Sequence, residues 1–299
     1  MKTIKLFTVD AFTTTIFNGN AAGVVLDSDH LETKEMHKIA GEINLSETAF
    51  LSKPTTIEAD YRIRYFTPTD EIDFCGHATV AASWIIGTES NVTQNRIVKL
   101  ETEIGIVPVE LHYENETLKS VVMTQVPPQV KELPKEDDYR TILEMSGIKE
   151  SDYEDRYPIK LAYTGNWDIM IPVKTRQAID EAVPDFKRLK AHNKKHGIAS
   201  VHLFTFDTRE DDCLLYTRDF SPAVGIDEDP VTGSANGALA GYLVIEGILE
   251  QKQNRFKIMQ GNSKGRIGTL DISTDVIDGN IRIQVSGSAV RAIVGSISF

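Results

Sequence analysis

Three short stretches hold most of the side chains able to do chemistry: Ser46-Glu47-Thr48-Ala49-Phe50, Phe74-Cys75-Gly76-His77-Ala78-Thr79, and Asp227-Glu228-Asp229-Pro230-Val231-Thr232-Gly233-Ser234-Ala235. Glu47 shares strand parity with Ala49 and Leu51, which sets an acid on an apolar face. A carboxylate drawn partly out of water has its pKa raised and serves as a general base or acid near neutral pH. A strand-edge carboxylate that simply reaches solvent fits the same pattern. His77 falls at a helix start, where the dipole disfavours added positive charge, so a neutral imidazole is expected there unless the ring is purely structural. Asp229 precedes Pro230 and reads either as a polar site residue or as a turn or cap. Cys75 is either a thiol activated by the same helix start or a buried, inert one.

Two helices begin directly after small residues, one at Gly76 and one at Gly233. Free backbone N–H groups and the positive end of the dipole at such a start can hold a carboxylate or an oxyanion. Each is also compatible with an ordinary helix start. Their equivalent placement in the chain favours a shared task on one small anionic ligand.

That equivalence comes from an internal repeat. Arg64-Tyr-Phe-Thr-Pro68 returns as Arg218-Asp-Phe-Ser-Pro222, Ile72-Asp73 as Ile226-Asp227 and Phe50 as Phe204, all at one offset. After Asp227 the register shifts by three, so that Cys75-Gly76-His77-Ala78 lies against Thr232-Gly233-Ser234-Ala235. A repeat this long implies duplicated domains rather than a solenoid. Each half reads as a β-rich start, a helix (Leu31 to Ile43; Gln177 to Ala191, interrupted by Pro184), two strands, an apolar helix after Gly76 or Gly233, and closing strands. In the apolar helices Val80, Ala81, Trp84 and Ile85, or Ala238, Leu239, Tyr242 and Leu243, form the buried stripe. The fold class is α+β. The domains are 1–126 and 127–288, the second opening with a connector that carries a short helix, and the last strand, 289–299, is expected to return to the first domain.

The 299 residues, 41% hydrophobic and 25% charged, suffice for two cores. With 44 acidic against 32 basic residues the net charge is -12, and no basic stripe suggests nucleic acid as a partner. No apolar run approaches a membrane span, and the first residues lack a signal peptide's pattern, so a cytoplasmic location is expected. Two distant cysteines, Cys75 and Cys213, support neither a disulfide framework nor a cysteine-rich metal site. No Walker loop, His-x-His, paired Cys-x-x-Cys, nucleophile elbow or dinucleotide fingerprint is present, so no metal or cofactor is expected.

At these clusters the sequence resembles the PhzF-like phenazine-biosynthesis family, itself similar in fold to diaminopimelate epimerase and proline racemase. Matching segments span nearly the whole chain: Val9-Asp10-Ala11-Phe12 with Phe17-Asn18-Gly19-Asn20-Ala21-Ala22, Ser46-Glu47-Thr48, Cys75-Gly76-His77-Ala78-Thr79, Glu228 to Ala235, and Gln260-Gly261. The resemblance implies two domains, each a curled β-sheet or barrel around a central helix, a substrate site between them and a homodimer. It implies a cofactor-independent isomerase with Glu47 as general acid/base, His77 and Asp229 as its polar support, and Asn20, Gly76, Gly233 and Ser234 at substrate-binding positions. In the phenazine enzyme the acid/base moves a proton within a dihydro-hydroxyanthranilate ring. The related epimerases and racemases use one cysteine from each half. Here the partner of Cys75 is Thr232, which cannot act as the second thiolate. One-base epimerisation of an amino or hydroxy acid, and a non-catalytic binding protein of the same fold, remain the alternatives.

Overall fold

A computed structural model describes residues 2–91, 93–209 and 212–299. The chain divides into two units, Met1–Met123 with Ser286–Phe299, and Thr124–Val285. The first opens with β1 (Thr3–Ala11) and β2 (Asn20–Val25), runs through α1 (Thr33–Ile43), β3 (Glu47–Ser52), β4 (Tyr61–Phe66) and β5 (Glu71–Ile72), and enters α2 (Gly76–Glu89). β6 (Arg96–Thr102), β7 (Gly105–Glu114) and β8 (Thr117–Thr124) follow. The second holds β9 (Gln129–Lys131), α3 (Tyr139–Met145), β10 (Lys160–Tyr163), β11 (Trp167–Pro172), α4 (Arg176–Asp180), α5 (Phe186–His196), β12 (Ser200–Thr205) and β13 (Leu215–Ser221). Then come β14 (Ile226–Asp229), α6 (Gly233–Ile245), β15 (Asn254–Gln260), β16 (Gly268–Ile277) and β17 (Asn280–Gly287), before β18 (Ala289–Ser298).

Strand pairing repeats between the units. In the first, β1 and β2 are antiparallel, β2 and β3 parallel, β3 and β4 antiparallel, and β4 and β6 parallel. In the second the same sequence of senses runs β10–β11, β11–β12, β12–β13 and β13–β15. The edge of β10 is closed by the preceding β9, antiparallel. The edge of β1 is closed instead by β18, antiparallel from Thr3↔Ser298 to Ala11↔Ala289. An exposed edge is thereby paired in both units.

Each unit wraps its sheet around one helix. α2 packs against β1, β2, β3, β7 and β18, and α6 against β9, β10, β11 and β16. The expectation of a single buried stripe needs correction: Ala78, Thr79, Val80, Ala81, Ala82, Ser83, Ile85 and Ile86 are all buried, whereas Trp84 is only half-buried. A helix apolar on every side is one enclosed on every side. Small residues make the enclosure close; a Cβ added to Gly87 would meet Leu118 Cδ2 at 2.7 Å. α1, by contrast, is amphipathic and packs Met36, Ile39 and Ala40 on Val25, Phe50 and Phe66. The helical stretch read around Pro184 is two helices, α4 and α5, with Asp185 capping the second through the Arg188 N–H.

Two details of the internal alignment are revised by the register. Tyr65 pairs with Ile72, and Asp219 with Asp229, so Ile72 corresponds to Asp229 rather than to Ile226. The three extra residues of the second half therefore lie before β14, in the Pro222–Val224 turn of 3-10 helix. Thr48 pairs with Phe66 and Val201 with Phe220, which matches Phe50 to Leu203 rather than to Phe204. The corrected register preserves a bidentate ion pair in each unit: Arg64 on Glu71 at 2.6 and 2.7 Å, and Arg218 on Glu228 at 2.8 and 2.9 Å.

Candidate active site

The first cluster is assembled in one unit by β3 and the start of α2. Glu47 opens β3, registered against Ala22 on the parallel β2. Asn20, buried, begins β2 two residues earlier and so shares the face of Ala22. Cys75 is the N-cap of α2 and supplies no side-chain cap; Gly76 and His77 follow. The Glu47 Oε2 to His77 Nε2 distance is 3.1 Å, with the two side chains 7% and 8% exposed. That oxygen accepts no aligned hydrogen bond, although it is fully shielded from water. Ser46 Oγ lies 3.4 Å from the same Nε2, and Cys75 Sγ lies 3.5 Å from Nδ1.

Both sequence-based charge expectations are reversed by this contact. Burial pushes the Glu47 pKa up, but the charge of His77 and the polar contacts of His77, Ser46 and Cys75 outweigh it and hold the carboxyl below its ordinary value. Burial pulls His77 down, and the neighbouring Cys75 and Glu47 more than offset this, so the imidazolium persists well above its ordinary range. The helix dipole disfavours a cationic ring, but its effect is small against a carboxylate at 3.1 Å. Burial, followed by the Glu47 charge, raises the Cys75 thiol, against the His77 ring and the Ala78 N–H. Cys75 is therefore a thiol rather than an activated thiolate at neutral pH.

The second cluster lies in the other unit. Asp229 closes β14 and is buried; Thr232, the N-cap of α6, donates its hydroxyl to Asp229 Oδ2 at 2.6 Å. Thr232 and Cys75 thus share one structural position, as the sequence repeat implies. Gln260 braces the turn: its Nε2 donates to the Asp229 carbonyl at 2.9 Å, and its Oε1 accepts from the Thr232 N–H at 3.1 Å. Gly233 is buried and Ser234 half-buried at the first turn of α6, where Thr164 Oγ1 donates to the Ser234 carbonyl at 3.0 Å.

Behind Asp229 runs a buried polar chain that sequence reasoning missed. Asn236 Nδ2 donates to Gln260 Oε1 at 2.7 Å, and Asn236 Oδ1 faces His202 Nε2 at 3.1 Å. His202 Nδ1 lies 2.9 Å from Asp219 Oδ1, which also accepts from Ser200 Oγ at 2.7 Å. Ser200 lies 2.9 Å from Asp168 Oδ1. Burial and then the Asp219 charge push Asp168 up to about 7, against Ser200 and His202. The corrected register makes Ser200, opposite Asp168, the counterpart of Glu47, opposite Ala22. The second unit therefore carries its acid, Asp168, on the neighbouring strand and a serine where the first unit has Glu47. The alternation of polar residues at 200 and 202 with buried apolar ones was the only available sequence signal.

Glu47, Cys75 and His77 also place one ligand atom each within 4.8 Å of the others, a spacing compatible with a metal ion.

A family model described as phenazine biosynthesis-like protein matches residues 9–295. An uncharacterized isomerase from Clostridium acetobutylicum is 35% identical over 96% of this chain and 95% of its own. A trans-2,3-dihydro-3-hydroxyanthranilate isomerase from Pseudomonas chlororaphis is 32% identical over 97% of both chains. Among solved structures, a PhzF-family phenazine biosynthesis protein from Bacillus anthracis superposes with a TM-score of 0.90 at 30% identity over 100% of both chains. A hydroxyproline epimerase from Agrobacterium vitis shares the fold alone, with a TM-score of 0.68 at 13% identity over 99% of this chain and 91% of that one.

Proposed function

The chain belongs to the phenazine biosynthesis-like family of isomerases, and from that premise we propose that it moves a proton between two carbons of a small, carboxylate-bearing substrate, with Glu47 as general acid/base. The observation that carries this reading is the Glu47 carboxylate: buried, ionised beside His77, and with one oxygen lacking an aligned hydrogen bond. Ionised at neutral pH, this carboxylate is in the form that accepts a proton, and His77 is placed to respond as its charge changes.

Glu47 removes a proton from an acidic C–H, and the electron pair left on carbon delocalises toward the conjugated carboxylate. Protonated Glu47 then delivers the proton to another carbon of the same system. Oxidation state does not change, so the reaction needs no electron carrier and is assigned as cofactor-independent. His77, cationic, balances Glu47 before transfer and fixes its orientation. Free N–H groups at the start of α2, where a Cβ on Gly76 would find only Met123 Cε, at 3.8 Å, hold developing negative charge. Asn20, Gly233 and Ser234 are assigned to substrate contact and Asp229 to polar support, on the family resemblance. A homodimer is proposed on the same basis.

Incorporation of solvent deuterium into a panel of small cyclic and amino-acid carboxylates tests the assignment. Glu47→Gln, nearly isosteric, should lose at least about 10³-fold in exchange while melting as a folded protein. Undiminished exchange in that variant would overturn the role of Glu47.

A further inference from the structure

One cluster of metal-binding side chains lies apart from the chemistry assigned above. α5 carries His192 and His196 one turn apart, so both imidazoles leave the same face of the helix, with ring centroids 4.9 Å apart. Asp137, in the segment before α3, reaches the same place, its Oδ2 2.8 Å from His192 Nε2. The three side chains are only 10–12% exposed, and one donor atom from each lies within 4.8 Å of the others. Glu136, mostly exposed, has Oε1 4.0 Å from His196 Nε2.

We propose that Asp137, His192 and His196 form a zinc site, with Glu136 or water completing a four-coordinate shell. Two imidazole nitrogens and a carboxylate are a donor set suited to this borderline ion, and a carboxylate offsets part of its charge. Donors around zinc at about 2.0–2.1 Å stand roughly 3.3 Å apart, a contraction within reach of side-chain rotation. Outer-shell support is already in place. Asn193, wholly buried, sets Oδ1 2.9 Å from His192 Nδ1, so that Nδ1–H donates to it and, once an ion displaces the Nε2 proton that bonds Asp137, the Nε2 lone pair is left to the ion. A simple imidazole–carboxylate pair accounts for His192, whereas the carboxylate of Glu136 stands 4.0 Å from His196 Nε2 and is mostly exposed. Asp137 and His192 are 55 residues apart, so the ion would fasten the segment before α3 to α5 as a structural clamp.

The full chain, stripped with chelator, is titrated with cobalt(II) as a spectroscopic stand-in and then with zinc. The expected result is one equivalent of cobalt with intense visible bands of a tetrahedral centre, displacement by zinc, and a higher melting temperature with zinc present. His192→Ala and His196→Ala should each weaken binding by at least about tenfold, and Cys75→Ala should leave it unchanged. Absence of a tetrahedral spectrum, binding retained in the double histidine variant, or a cobalt–thiolate band lost in Cys75→Ala would each overturn the site.

Discussion

Glu47 Oε2 and His77 Nε2 stand 3.1 Å apart with both side chains sealed from solvent, which makes them one charge-paired unit rather than two independent groups. The sign of the pH dependence follows from the two shifts. Glu47 is held below its ordinary 4.5, so its stabilisation is complete above that value and is lost as pH falls through the lower folded pKa. His77 is raised well above its ordinary 6.5, so its stabilisation is complete below 6.5 and is lost as pH rises through the higher folded pKa. Thermal melts of wild type and His77→Asn should therefore differ most between pH 4.5 and 6.5, with the difference shrinking on either side. A difference that grows with alkalinity would contradict a cationic His77.

Cys75→Ala separates proton transfer by Glu47 from epimerisation through a thiolate. Because burial and the Glu47 charge raise the Cys75 thiol, and its counterpart Thr232 hydrogen-bonds Asp229, neither position supplies a thiolate. The variant should keep deuterium exchange within about tenfold of wild type and lose roughly 1 kcal/mol of stability from the small void. Loss of all exchange would move the chain to the epimerase reading.

Gly241 sits in α6 where a Cβ would approach Pro128 Cβ to 2.3 Å. Gly241→Ala would favour the helix by propensity, yet the overlap with a rigid ring should dominate and destabilise by about 1–3 kcal/mol. Differential scanning calorimetry should register a fall of several degrees. An unchanged or raised melting temperature would mean that Pro128 yields at little cost.

The duplication was legible because two halves of one fold reuse side chains with strict demands, such as the arginine of Arg64–Glu71 and Arg218–Glu228. Cys75-Gly76-His77 and Thr232-Gly233-Ser234 were legible for the same reason, both standing at the start of an enclosed helix. Charge states were not. Whether a dipole, desolvation or a neighbour governs His77 depends on a distance to Glu47, thirty residues earlier, that no local pattern encodes. His202, Asp219 and Asn236 escaped notice because they come from β12, β13 and α6, and only pairing of those strands around the helix brings them together.

That buried chain ends at Asp168, whose pKa near 7 makes it the group there with a distinctive acid–base signature. The folded state keeps its proton from the ordinary 3.8 up to about 7, whereas the unfolded state has already released it. The folded protein thus binds more protons in that interval, and this carboxyl makes stability fall as pH rises through it, then level off. Asp168→Asn keeps the shape and one acceptor toward Ser200 while removing the titration. Its stability relative to wild type should improve steadily between pH 4 and 7, the interval that Asp168 itself sets, as read from urea midpoints at several pH values. A stability difference independent of pH across that interval would mean that Asp168 is ionised in the folded state and that Asp219 and His202 share its charge in some other way.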